Sequence, residues 1–212
     1  MKRRVFRLRH VLLILALGIL SAAVVLGLKW FRAERGNPGA ISPKGGESFS
    51  IVLPNSTNHF RQSDPRWGTQ TIGGSGEYIA SVGCTLCSVA MAVSDLGFFI
   101  LPDELNQKLI ENGGYTEQGW LIWGSVTPAV DGFAEIVVCG KPDHATLDAC
   151  LKRGEIPVIK FFLPGGIPHW VAVIGKDGTE YLIKDPALKS PAPVKLSSRA
   201  RSIHSLRYVR KR

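Results

Sequence analysis

Hydrophobic residues are arranged along this chain in three different ways. From Val11 to Leu28 they form a run of 18 residues without a charge, preceded by Lys2, Arg3, Arg4, Arg7 and Arg9 and followed by Lys29, Arg32 and Arg35. As a helix such a run is about 27 Å long, close to the hydrocarbon thickness of a bilayer. From Gly83 to Gly97, Leu86, Val89, Ala90, Val93 and Leu96 recur at helical spacing. A second helix is predicted from Pro102, with Leu105, Leu109 and Ile110 on one side and a stop at Asn112-Gly113-Gly114. A third runs from Asp143, a suitable N-cap, to Arg153. The third arrangement is short and strand-like: Ala134–Cys139, Ile156–Phe162, Trp170–Gly175, Glu180–Lys184 and Ser205–Val209, with Lys176-Asp177-Gly178-Thr179 reading as a hairpin turn. Helices first and strands later predict an α+β domain, N-terminal helices packed on a C-terminal antiparallel sheet, preceded by one transmembrane helix.

This pattern divides the chain into a basic N-terminus (1–10), a membrane anchor (11–28), a linker (29–50) and a domain (51–212). Arg32 to Ser50 is rich in Gly, Pro, Ser and charge and reads as a tether. The heavier positive cluster precedes the apolar run, which keeps the N-terminus in the cytoplasm and places the domain outside it, single-pass. The rival reading is a cleaved signal peptide at Ser21-Ala22-Ala23, but the apolar run continues through Val24, Val25 and Leu26.

Charge changes the picture by its position. The net +9 is concentrated at the ends, and residues 36–194 alone carry a net −5. No nucleic-acid partner is therefore expected, because such a partner needs a basic face on the fold itself.

Three polar residues then stand where nucleophilic chemistry requires them. Cys84 opens the Gly83–Gly97 helix, where the helix dipole favours a thiolate. His169 opens one strand and Asp185 follows the next, so a hairpin brings base and orienting carboxylate together. Each residue alone has a plainer explanation: a small buried hydrophobe, a structural His, an Asp capping a turn. Their order and spacing favour the Cys–His–Asp combination.

These residues also carry a family resemblance. Gly83-Cys84-Thr85-Leu86-Cys87-Ser88-Val89-Ala90-Met91 resembles the nucleophile helix of papain-superfamily peptidases of the bacteriocin-processing (double-glycine) type, nearest to their stand-alone C39-like branch. His169-Trp170-Val171-Ala172-Val173-Ile174-Gly175 is similar to that family's histidine strand, and Lys184-Asp185-Pro186-Ala187 to its aspartate motif. Gln62-Ser63-Asp64-Pro65-Arg66-Trp67 resembles the opening segment of the stand-alone members, and Asn112-Gly113-Gly114-Tyr115 with Gly119-Trp120-Leu121-Ile122-Trp123 fits between. The resemblance implies a papain-like fold and cleavage of peptide bonds through a thioacyl intermediate, with a peptide or protein substrate and no cofactor or metal. It implies Gln62 as the oxyanion-hole side chain beside the backbone N–H of Cys84. Gln62 departs from the family pattern by lying 22 residues before the cysteine, and Gln70 competes for the role.

Other classes fit less of the sequence. Cys84-Thr85-Leu86-Cys87 also describes an anchored thiol-disulfide oxidoreductase, but Thr71–Gly83 is Gly- and Ser-rich where that motif needs a buried strand. Cys139 and Cys150 lack the close second pair of a zinc site. A non-enzymatic alternative is a silent C39-like module that binds peptide or glycan. Trp67, Trp120 and Trp123 suit either a groove or core packing. Export leaves room for one disulfide, Cys139–Cys150, closing a short loop beside free Cys84 and Cys87.

Overall fold

The computed structural model describes residues 2–212, with side chains described from residue 10 onward. The first element, α1 (Lys2–Arg35), is one continuous helix that extends beyond the apolar run at both ends. Its stretch His10–Arg35 is long and apolar enough to cross a membrane, and its most apolar 18 residues are not buried in the protein.

The domain is α+β, as predicted. Beyond α1 come β1 (Lys44–Val52), α2 (Ile79–Val82), α3 (Cys84–Asp95), α4 (Pro102–Glu111), α5 (Val126–Ala129), β2 (Ala134–Val138), α6 (His144–Lys152), β3 (Ile156–Leu163), β4 (Ile167–Lys184), β5 (Val194–Lys195) and β6 (Ser205–Lys211). The strands form one antiparallel sheet in the order β1-β4-β3-β6-β2, with β5 on β4. α3 packs on this sheet, and its residues from Leu86 to Val93 are completely buried or nearly so.

Local chemistry sets the helix ends. Pro102 starts α4, where a missing N–H is harmless, and Glu104 accepts a hydrogen bond from the Leu101 N–H at 3.0 Å. The Asp143 carboxylate caps α6 by accepting from the Thr146 N–H at 2.7 Å. Gly97 ends the turn after α3 at a φ of 114°, a region closed to most side chains.

The run Ile167–Lys184 is one continuous strand element, yet it cannot be straight. His169 near its start and Asp185 just past its end are 2.7 Å apart, whereas a straight strand would separate them by about 50 Å. The chain folds back around Asp177-Gly178, with Gly178 at a φ of 60°. The predicted hairpin is therefore present.

Two expectations are corrected. The linker assigned to residues 29–50 contains most of β1, which pairs with the far end of β4 (Phe49 opposite Gly178, Val52 opposite Gly175). Its glycines conceal it: a Cβ on Gly45 or Gly46 would strike the His144 ring or the Asp148 carboxylate, so close packing selects residues that read as linker. The sheet is thus not wholly C-terminal. The expected Cys139–Cys150 disulfide is also absent, since all four cysteines are free. Cys150 is buried in α6, and its Sγ accepts a hydrogen bond from Arg153 at 3.6 Å.

Away from the cysteines, Lys176 is wholly buried. Its ammonium donates to Asp148 Oδ1 at 2.5 Å, and Asp148 also accepts from the Tyr181 hydroxyl at 3.0 Å and the Glu47 N–H at 2.7 Å. This network ties α6 to β1 and β4. Asp148→Ala leaves a buried ammonium without its counter-charge and is expected to cost about 3–5 kcal/mol in chemical denaturation, whereas Asp148→Leu with Lys176→Met should cost far less.

Candidate active site

Cys84 is the first residue of α3 and is 8% exposed; His169 and Asp185 are 3% and 1% exposed. α3 is held against β4 at this end by Ser88, whose hydroxyl donates to the Trp170 carbonyl at 3.0 Å. That bond fixes the helix start to the strand residue next to His169. His169 and Asp185 are in direct contact, and Cys84 lies beside His169.

A carboxylate only accepts hydrogen bonds, so the His169 Nε2 at 2.7 Å from Asp185 Oδ1 carries its hydrogen. Nδ1 is then the nitrogen left to interact with the Cys84 thiol. The buried Phe161 ring stands edge-on to the imidazole at 5.3 Å and closes one side.

Burial and charge oppose each other at all three groups. Burial penalises the thiolate, but the His169 hydrogen bond and charge outweigh it, and the Cys84 thiol lies below its ordinary value of 9.0. Burial penalises the imidazolium too, yet Asp185 and Cys84 prevail and raise His169 to about 9. Asp185 is held below the usual carboxylate range: burial pushes it up, but His169, the Ala187 N–H and Arg199 push it down further. The net shifts thus move Cys84 toward thiolate, His169 toward imidazolium and Asp185 toward carboxylate. Cys87, one turn further on, is fully buried and has its thiol pushed strongly upward, chiefly by burial. It behaves as core.

Arg199 was not legible in the sequence. Its Nε donates to Asp185 Oδ2 at 3.0 Å, while Asp185 Oδ1 also takes the Ala187 N–H at 2.8 Å. Arg199 follows a short 3-10 turn, Leu196–Ser198, in a stretch with no motif around it. Only the fold reveals the contact.

Gln62 and Gln70 part company in the structure. The Gln62 N–H donates to the carbonyl of Pro186, next to Asp185, and its side-chain amide donates to the Ala80 carbonyl at 2.9 Å, four residues before Cys84. Its Oε1 is buried without a partner. Gln70 is exposed. The turn carrying Gln62 is anchored by Trp67, which is fully buried and donates its indole N–H to the Arg61 carbonyl at 2.9 Å. Trp67 is thus packing, Trp120 is exposed, and Trp123 lies against Trp170 with ring centres 4.9 Å apart. A cavity of about 400 Å³ lies elsewhere, lined by Leu53, Asp95, Arg153 and Arg210 among others, and by none of the three candidate groups.

The chain is similar to the crystal structure of a candidate C39-like peptidase from Bacillus anthracis. Identity is 14%, the TM-score is 0.49, and the match covers 77% of this chain and 98% of that one. No family model and no curated protein matches the chain.

Iodoacetamide alkylation of Cys84 is expected to begin below pH 9.0, the ordinary thiol value, and to change rate again near pH 9 as the imidazolium loses its proton. His169→Ala should move the onset upward. Measuring alkylation rate against pH by mass spectrometry checks both, and an onset unchanged in His169→Ala would refute the ion pair.

Proposed function

We propose that this chain is a membrane-anchored cysteine hydrolase that cleaves peptide bonds outside the cytoplasm, of the papain-like, C39-like kind. The observation that carries this reading is the buried thiol–imidazole–carboxylate line formed by Cys84, His169 and Asp185, with its thiol at a helix N-terminus. The Cys84 thiolate attacks the substrate carbonyl carbon, and the electron pair of the C=O bond moves onto oxygen. The negative oxygen is met by the Cys84 N–H and the Gln62 side-chain amide, which has one N–H left after its bond to Ala80. His169 gives its Nδ1 proton to the leaving amine, and a thioester remains on Cys84. His169 then takes a proton from water, which attacks the thioester and releases the acid and the thiolate. Asp185 keeps the ring in the tautomer and orientation both steps need, and Arg199 and the Ala187 N–H keep Asp185 ionised and in place.

An oxidoreductase using Cys84 and Cys87 is disfavoured by the Cys87 thiol, whose burial opposes the thiolate that disulfide exchange requires.

Cys84→Ala is expected to reduce hydrolysis of a cleaved peptide to background, a loss of about 10⁶-fold, while Asp185→Asn costs about 10⁴-fold. Turnover of a fluorogenic peptide library by the full chain measures both, and full activity in Cys84→Ala sinks the mechanism. Protease treatment of spheroplasts should digest residues 29–212 and spare the N-terminus; a mature chain beginning after Ala23 would overturn the anchor.

A further inference from the structure

The segment after the apolar run is docked on the domain. Glu34 pairs with buried His204 at 3.0 Å. The Asn37 side chain donates to the His204 carbonyl at 2.9 Å. Arg201 lies over the Trp30 ring at 4.1 Å, and Ile41 bridges to Ile203. A flexible linker over residues 29–50 would let the domain wander by about 26 Å. These contacts hold it at one height instead.

The same end of α1 touches the loop between β3 and β4. A Cβ on Gly165 would lie 3.4 Å from the Leu26 side chain, and one on Gly166 would lie 3.1 Å from the Lys29 carbonyl. Leu26 belongs to the apolar run and lies about 3 Å short of its end at Leu28. The loop therefore reaches the level at which the helix leaves its apolar stretch. Leu163-Pro164-Gly165-Gly166-Ile167-Pro168 carries no charge, and Pro164, Ile167 and Pro168 are exposed, Ile167 by 57%. Water is a poor neighbour for such a loop, whereas the boundary of a bilayer suits it. Lys29, Arg32 and Arg35 at the same level suit anionic headgroups. His169 follows Ile167 by two residues, about 7 Å along the strand.

We propose that the Leu163–Ile167 loop sits in the membrane interface and that the site acts on peptide bonds beside the bilayer, in juxtamembrane segments of membrane-anchored proteins. The substrate part rests on the hydrolase reading above; the placement of the loop rests on the anchor alone.

The test uses the full chain in phosphatidylcholine–phosphatidylglycerol vesicles. A fluorescent amino acid in place of Ile167 should be quenched by lipids spin-labelled near the headgroup. The same probe in place of Asp177, at the fold-back of β4 and about 33 Å away along the strand, should not be. A single-span helix carrying a peptidyl fluoromethylketone then reports reach. A spacer of 5 residues should label Cys84 about fifteenfold faster than one of 30, and the double variant Glu34→Gln, Arg201→Ala should reduce that ratio. Equal quenching at the two positions, or equal labelling with the two spacers, overturns the proposal. Soluble iodoacetamide separates the two readings: if it leaves Cys84 unmodified, the hydrolase reading and the substrate assignment fall, and quenching alone decides where the loop lies.

Discussion

The buried hydrogen bond between His169 and Asp185 closes β4 on itself, and the placement of the other site groups follows from that closure. Once the strand folds back at Gly178, its first arm presents His169 toward the start of α3, and its second delivers Asp185 to the far nitrogen of the ring. Ser88 then fixes α3 to the carbonyl beside His169. Gln62 bridges the two remaining segments, through Pro186 after Asp185 and Ala80 before Cys84. Four distant stretches of sequence thus converge on one short length of strand.

Electrostatics at this junction is a contest that burial loses. Burying three ionisable groups almost completely should leave them neutral. Instead each charged form is stabilised by its neighbour, and Arg199 supplies a further positive charge behind Asp185. Cys87 is the internal control. It shares the helix and the burial but lacks the imidazole, and its thiol moves the other way. The partner, rather than the helix end alone, separates the two cysteines.

The docked end of α1 gives this arrangement a direction. The glycines that let the β3–β4 loop lie against the helix, Gly165 and Gly166 at φ 88° and 76°, are the same ones that turn the chain into the strand of His169. Packing against the helix and the placement of His169 are one structural feature.

The amphipathic periods of α3, α4 and α6 were legible because each helix has one buried side and chemically marked ends. The apolar run was legible because an uncharged stretch of that size favours one continuous helix, long and apolar enough to cross a membrane. The contact of His169 with Asp185 was legible because a hairpin is a local feature. What the sequence could not supply depended on contacts across long separations. β1 reads as a linker because its glycines answer to His144 and Asp148, about a hundred residues away. Arg199 has no motif, since its role exists only once Asp185 is in place. The bonds of Gln62 to Pro186 and Ala80 also span long separations, and the docking of Glu34 on His204 joins residues separated by 170 positions. The sequence by itself determined the elements and the reactive groups they carry, because periodicity, caps and turns act over a few residues. Tertiary structure decided which polar groups support them and how the domain meets α1, because burial and pairing act only between surfaces that folding brings together.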